Sequence, residues 1–108
     1  MNAQEIIERT IKEKISLGFE YLRENKIRGE RIGNPYALYW DDNNKMKVDI
    51  YQIEGVSDTP QESLPKWRRF FVEYINLPKL LEERKPFVPD APGYNRGSSL
   101  YKNPIILI

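Results

Sequence analysis

The sequence contains no cysteine and no histidine among its 108 residues. These absences exclude disulfides, thiol nucleophiles, Ser-His-Asp arrangements and the usual zinc sites. Histidine is also the side chain whose unperturbed pKa lies nearest neutrality, so acid–base catalysis would need a strongly shifted carboxylate, lysine or tyrosine. We therefore expect a protein that is not an enzyme and that uses neither a metal nor a cofactor.

Long apolar runs and targeting signals are also absent. No apolar run approaches the ~18 residues of a membrane-spanning helix, and the first five residues lack the basic and apolar regions of a signal peptide. We expect a cytoplasmic protein that does not enter a membrane. The net charge of +1 disfavours a generically basic nucleic-acid-binding protein, so such binding would need a local cluster of cations.

The composition that is present fits a single domain over residues 1–108, since 40% of the residues are hydrophobic and 31% are charged. Its first segment predicts a helix over residues 1–15. Asn2 is a candidate N-cap and Glu5 a candidate partner in a capping box. Ile7, Ile11 and Ile15 recur every four residues, which is typical of the apolar stripe of an amphipathic helix.

After Ser16 the apolar residues alternate with a period of two, which predicts strands over residues 16–81. The first strand contains Leu17, and the second runs from about residue 30 to residue 40 with a bend at Pro35. The turn at residues 41–44 contains two Asp and two Asn, so we expect a hairpin flanked by Trp40 and Met46. Residues 55–65 are a polar loop that we expect to be mobile.

A fourth strand is predicted over residues 66–74, with Arg68 and Arg69 on opposite faces. Residues 75–81 fit either a fifth strand or a helical turn because of Pro78. Residues 82–108 combine a proline-rich strap with a last strand at residues 104–108. Together these elements predict an α+β, mainly β fold, in which the helix packs on a small antiparallel barrel or strongly curled sheet.

The order of these segments resembles the WYL-domain family. The resemblance covers most of the chain and is carried by the following residues: Ile11, Phe19, Tyr21, Gly29-Glu30-Arg31, Pro35 to Tyr39, Ile50-Tyr51, Arg68 to Ile75, Phe87, Pro89, Tyr94-Asn95, Ser98-Ser99 and Tyr101. The triplet that names the family falls on Met46, Lys47 and Val48 here, and two positions commonly occupied by arginine are Phe71 and Tyr74.

This resemblance implies a fold and a class of function. Members of the family look like Sm-like or SH3-like barrels preceded by a helix. The resemblance therefore implies a small stand-alone regulatory or ligand-sensing module, which in some relatives acts on nucleotides or single-stranded nucleic acid.

The strongest functional candidate in the sequence is the group of cations and aromatics in the fourth strand and its neighbours. Cations bind phosphate groups and aromatic rings stack on bases, so we expect these residues to line a shallow ligand-binding cleft. The candidate ligand-binding residues are Lys66, Trp67, Arg68, Arg69, Tyr39 and Tyr51. The plainer alternative places Trp67 and the tyrosines in the core and the charges on a solvated face. Lys26, Arg28 and Arg31, near the first turn, could extend this group as a basic patch or could simply form a solvated turn.

Three functions remain open from the sequence. The leading hypothesis is a non-enzymatic sensor that binds an anionic ligand, either a nucleotide or single-stranded nucleic acid. The alternative is a protein–protein interaction module that binds a partner or forms a homodimer through residues 105–108. The third is a hydrolase that uses the carboxylates Asp49, Glu54 and Glu73 as acid and base. Nothing in the spacing of these residues requires that they lie in one cleft.

Overall fold

One helix and six strands make up the part of the chain that the computed structural model describes, residues 1–60 and 63–108. The α+β, mainly β class predicted from the sequence is confirmed. The elements are α1 (Ala3–Glu13), β1 (Leu17–Tyr21), β2 (Glu30–Trp40), β3 (Met46–Gly55), β4 (Lys66–Phe71), β5 (Ile75–Leu80) and β6 (Pro104–Leu107).

The helix begins with the predicted capping box. The Asn2 side chain accepts a hydrogen bond from the Glu5 amide at 2.9 Å, and the Glu5 carboxylate accepts one from the Asn2 amide at 3.3 Å. The helix ends at Glu13 and is followed by the cap residue Lys14, whose φ of 58° is the left-handed conformation typical of a helix C-terminus. Ile7 and Ile11 are buried, so the apolar stripe faces the core as the spacing predicts.

The strands form one antiparallel sheet in the order β4-β3-β2-β1-β5, with β6 also paired to β2. β2 is long enough to pair with β3 on one side, and with β1 and then β6 on the other. The register between β2 and β3 shifts between Pro35 and Ala37, where the sequence predicts a bend. Proline has no amide hydrogen, so it cannot donate to the ladder at this point.

β4 ends earlier than predicted, at Phe71 rather than at residue 74. A 3-10 turn over Val72–Tyr74 follows it. The physical reason is the strand order, because β5 pairs with β1 at the far side of the sheet and the chain must leave β3 to reach it. Residues 75–80 then form a strand rather than a helical turn.

The core lies between α1 and one face of the curled sheet, which we call the inner face. Ile50 and Phe70 are buried there beside Ile7 and Ile11. Because side chains alternate along a strand, the residues between them point to the opposite, outer face. Asp49 and Arg69, which are paired across β3 and β4, are therefore outer-face residues.

The C-terminal strap, residues 82–103, packs on the outer face. The Phe87 ring lies 5.6 Å from the Tyr36 ring, and the Ala91 amide donates to the Tyr36 hydroxyl at 3.0 Å. Val88 is 70% exposed, so of the two apolar residues between the prolines only Phe87 packs on the sheet.

β6 confirms the predicted last strand and is paired within the chain, with Leu38 opposite Ile106. Ile105, Ile106 and Ile108 pack against the core. Pairing with a second copy stays a prediction. Within residues 1–60 and 63–108, no helix is long and apolar enough to cross a bilayer.

Candidate functional site

A cavity of about 360 Å³ lies between the outer face of the sheet and the C-terminal strap. We call it the first cavity. Its sheet side includes Asp49, Trp67 and Arg69, and Arg68 borders it as well. Its strap side includes Tyr94, Asn95, Ser98, Leu100 and Tyr101. This volume lies within the range of sites that bind small molecules, which begins at about 300 Å³.

The carboxylate of Asp49 organises the floor of the first cavity. Its Oδ1 accepts hydrogen bonds from Arg69 Nε at 2.8 Å and from the Tyr39 hydroxyl at 3.0 Å. Its Oδ2 accepts from the Tyr101 hydroxyl at 2.7 Å and from Arg69 Nη2 at 3.2 Å. Asp49 is only 5% exposed, and these four bonds offset the cost of burying its charge. They also fix the position of the Arg69 guanidinium.

This network sets the ionisation of its members. The hydrogen bond to Asp49 raises the pKa of Arg69, which is therefore a permanent cation. Burial raises the pKa of Tyr39 and of Tyr101, and the neighbouring Asp49 carboxylate raises both further. The two hydroxyls stay protonated and donate to Asp49. The Arg69 cation is thus held in place by Asp49, and the hydroxyls of Tyr39 and Tyr101 complete the network.

Trp67 belongs to an aromatic cluster beneath the strap. Its ring lies 5.0 Å from Tyr36, 5.2 Å from Tyr51 and 6.0 Å from Tyr94, and it is nearly parallel to Tyr94. Its indole N–H donates to the backbone oxygen of Pro92. The sequence predicts that Trp67 either packs in the core or contacts a ligand. In the structure Trp67 packs against neighbouring aromatic rings and also forms part of the wall of the first cavity.

Arg68 points to the inner side of the sheet, as alternation predicts for the neighbour of Arg69. Its Nη2 donates to the hydroxyls of Ser57 and Thr59, in the loop between β3 and β4. Its Nε is buried and has no hydrogen-bond partner among the described residues. Residues 57–59 of the loop, which we expected to be mobile, are thus tied to the sheet. Gln61 and Glu62 of the same predicted loop lie outside the described residues.

Arg31 is a buried residue that sequence reasoning missed. The sequence suggests that it lies in a basic patch or a solvated turn, but its side chain is 0% exposed. Its Nη2 contacts Asp58 Oδ2 at 3.2 Å and donates to the backbone oxygen of Ile27 at 3.1 Å. Its burial follows from the pairing of β1 with β2, which places Arg31 opposite the buried Phe19.

A second cavity of about 360 Å³ adjoins the first and lies beside the hairpin between β2 and β3. Arg69 and Leu100 line both cavities. The other residues of the second cavity are Tyr39, Asp41, Asp42, Asn43, Lys47, Ser99 and Lys102. Two pairs of opposite charge lie here, Lys47 with Asp41 at 3.0 Å and Lys102 with Asp42 at 2.8 Å. The predicted turn at residues 41–44 thus also forms part of a cavity wall.

The predicted ligand-binding residues separate into three groups. Trp67, Arg68 and Arg69 line the first cavity, although Arg68 is also engaged on the inner side. Tyr39 is 1% exposed, so its ring is not accessible for stacking on a base. It donates a hydrogen bond to Asp49 and lies in the wall of the second cavity. Lys66 and Tyr51 lie on β4 and β3 outside the lining of both cavities. The residues predicted from the sequence include part of β4 but not Tyr94, Asn95 and Tyr101 of the strap, which line the other side of the first cavity.

The carboxylates considered for a hydrolase lie in different surroundings. Asp49 is held by Arg69, Glu54 pairs with Arg84 and Glu73 lies 3.9 Å from Lys45. In the described part of the chain, no group of three or more carboxylates lies close enough to hold a metal ion. Among the three, only Asp49 lines the first cavity, where it holds the half-exposed Arg69 guanidinium beside aromatic side chains.

No family model matches the chain. No curated protein matches it either. The resemblance to the WYL-domain family therefore stays a prediction.

Proposed function

We propose that this chain is a non-enzymatic ligand-sensing or regulatory domain that binds an anionic ligand, a nucleotide or single-stranded nucleic acid, in the first cavity. The observation that carries the proposal is the Arg69 guanidinium, held by Asp49 at the edge of an aromatic-walled cavity. On the outer face this cavity contains one guanidinium, that of Arg69, paired with one carboxylate, that of Asp49, because the Arg68 guanidinium lies on the inner side.

Arg69 has the properties of a phosphate-binding arginine. Asp49 holds Nε and Nη2, and among the described residues Nη1 has no hydrogen-bond partner. The side chain is 45% exposed, so a ligand can reach it. A guanidinium held on one side by a carboxylate loses little further conformational freedom when it binds phosphate on the other, which favours binding.

The strap provides surfaces for the nucleoside. Tyr94 and Tyr101 give aromatic walls, and base–aromatic stacking contributes about 1–3 kcal/mol per base. Asn95 and Ser98 provide side-chain groups that can hydrogen-bond the edge of a base or a ribose hydroxyl. A cation beside aromatic rings and amide groups is the combination that nucleotide binding needs.

The proposal includes the finer fold expected from the resemblance, an Sm-like or SH3-like barrel of the WYL type. Its support is the linear strand order, with β4 and β5 at the two ends and only a 3-10 turn between them. Two hydrogen bonds tie that turn region to the end of β1, from the Leu22 amide to Tyr74 and from the Phe71 amide to the Tyr21 hydroxyl. A closed barrel predicts slow amide exchange along both β4 and β5.

A cytoplasmic location also stays a prediction.

The test is a binding titration with a nucleotide panel and short labelled single strands, at about 50 mM and about 200 mM salt. We expect binding at low salt that weakens at high salt, because a phosphate contact releases counterions. Arg69→Met should lower the affinity at least about tenfold, since it removes the cation proposed to contact the phosphate.

The matched control is Arg84→Met. Arg84 also pairs with one carboxylate, Glu54, but it lies outside both cavities. The two variants change the net charge equally, so an affinity that falls only with Arg69→Met locates the ligand. The proposal is wrong if no nucleotide or strand binds with a Kd below about 1 mM at low salt, or if the two folded variants bind alike.

A further inference from the structure

The first and second cavities adjoin each other at Arg69 and Leu100. They have equal volumes of about 360 Å³. We infer that they form one site that takes a dinucleotide, with the phosphate that joins the two nucleosides at Arg69 and one nucleoside in each cavity. The inference rests on the proposed function and names the class of nucleotide for the same site.

Arg69 is suited to a joining phosphate because of its place between the cavities. A phosphate at this guanidinium has space on both sides, towards Asn95 in the first cavity and towards Asn43 in the second. A mononucleotide would fill only one of these spaces. Leu100 is 48% exposed and lines both cavities, so it offers an apolar surface to the sugars on either side of the phosphate.

The second cavity suits a nucleoside better than a second phosphate. It contains the carboxylates of Asp41 and Asp42, while Lys47 and Lys102 are paired with them. A hydrogen bond from the Lys45 amide lowers the pKa of Asp41, which is therefore ionised at neutral pH. Carboxylates repel phosphate but accept hydrogen bonds from ribose hydroxyls and base amino groups. The charge pattern thus favours one phosphate flanked by two nucleosides.

The experiment compares ligands of increasing length on the intact chain. The probes are AMP, the dinucleotide ApA and tetra-adenylate, with the matching uridine series. We expect ApA to bind at least about tenfold more tightly than AMP, although AMP carries more negative charge. Tetra-adenylate should bind within about threefold of ApA if the site accepts a pair within a strand. A much weaker tetra-adenylate would support free dinucleotides as the source.

Two bulky substitutions on the strap separate the cavities. Asn95 lines only the first cavity and Ser99 only the second. Ser99→Trp should reduce the affinity for ApA to that for AMP and leave AMP binding unchanged. Asn95→Trp should weaken the binding of both ligands. Circular dichroism of each variant shows whether it is folded.

The possible results distinguish the inference from the proposed function. Equal binding of AMP and ApA, both lost in Asn95→Trp, would overturn the dinucleotide inference and leave a one-nucleotide site. An affinity that rises a further tenfold from ApA to tetra-adenylate would also overturn it, because a longer groove would then be in use. Failure of every probe to bind would reject the proposed function itself.

Discussion

Arg68 and Arg69 are neighbours in the sequence, but their side chains lie on opposite faces of the sheet, in surroundings that differ in their access to a ligand. On the inner side, the guanidinium groups of Arg68 and Arg31 both hydrogen-bond residues 57–59 of the loop after β3. On the outer side, Arg69 ends beside Asp49 at two open cavities. The pair of Arg31 and Asp58 is a closed cluster, and the pair of Arg69 and Asp49 is an open one.

The difference lies in what each guanidinium can still bind. Arg31 is 0% exposed and reaches Asp58, Gln52 and Ile27, all within the chain. Arg69 is held as firmly by Asp49, but its other side faces a cavity. Pairing therefore does not distinguish a structural arginine from a ligand-binding one. Access to the remaining donors does.

The largest expected effect comes from removing the inner cation. Arg31→Met leaves Asp58 without its cationic partner and leaves Gln52 and the Ile27 oxygen short of a donor. Breaking a buried pair in this way costs about 3 kcal/mol or more. Urea unfolding followed by tryptophan fluorescence should show a midpoint well below that of the unmodified chain.

The outer cation provides the matched control for this stability measurement. In Arg69→Met, Asp49 keeps the Tyr39 and Tyr101 hydroxyls as donors, so we expect a loss of only about 1–2 kcal/mol. Stability and binding should therefore separate, with Arg31→Met losing more stability and Arg69→Met more affinity. Equal losses of stability in the two variants would contradict the division into a closed and an open cluster.

A smaller effect appears at alkaline pH on the outer side. The folded chain raises the pKa of Tyr101 above its ordinary value of 10.0, so the unfolded chain loses this proton first as the pH rises. The stability from the protonated hydroxyl is complete below about pH 10 and falls at up to about 1.4 kcal/mol per pH unit above it.

Tyr101→Phe isolates that contribution. At pH 8 we expect the variant to be less stable by about 1 kcal/mol, because it lacks the hydrogen bond to Asp49. Near pH 11 the difference should disappear, since only the intact residue has a proton to lose. A Tyr101 difference that stayed constant from pH 8 to pH 11 would contradict the network.

Much of the fold could be predicted from the sequence because local signals agree with the tertiary structure. The capping box at Asn2, the alternation that begins at Leu17 and the turn at residues 41–44 all appear where they were expected. The early end of β4 could not be predicted. It follows from the pairing of β5 with β1, a contact that depends on the whole sheet.

The candidate site could be predicted only in part. Alternation correctly separated Arg68 from Arg69, since it is a property of one strand. The first cavity, by contrast, joins β3 and β4 to residues 93–101 of the strap, and no local pattern links Asp49 to Tyr101 across 52 positions. Arg31 was missed because arginine is mostly an exposed residue type, and its position opposite the buried Phe19 depends on the pairing of β1 with β2, which no local pattern predicts.

The smallest expected effect tests whether pairing alone stabilises the chain. Arg84 lies 2.5 Å from Glu54, closer than the 3.2 Å between Arg31 and Asp58, but the two side chains are 35% and 52% exposed. Water already solvates both groups and salt screens them, so Arg84→Met should cost less than about 1 kcal/mol in urea unfolding. The shorter ion pair is thus predicted to contribute less than the longer one. If Arg84→Met instead destabilised the chain as much as Arg31→Met, distance rather than burial would govern these pairs, and the distinction between the inner and outer clusters would lose its physical basis.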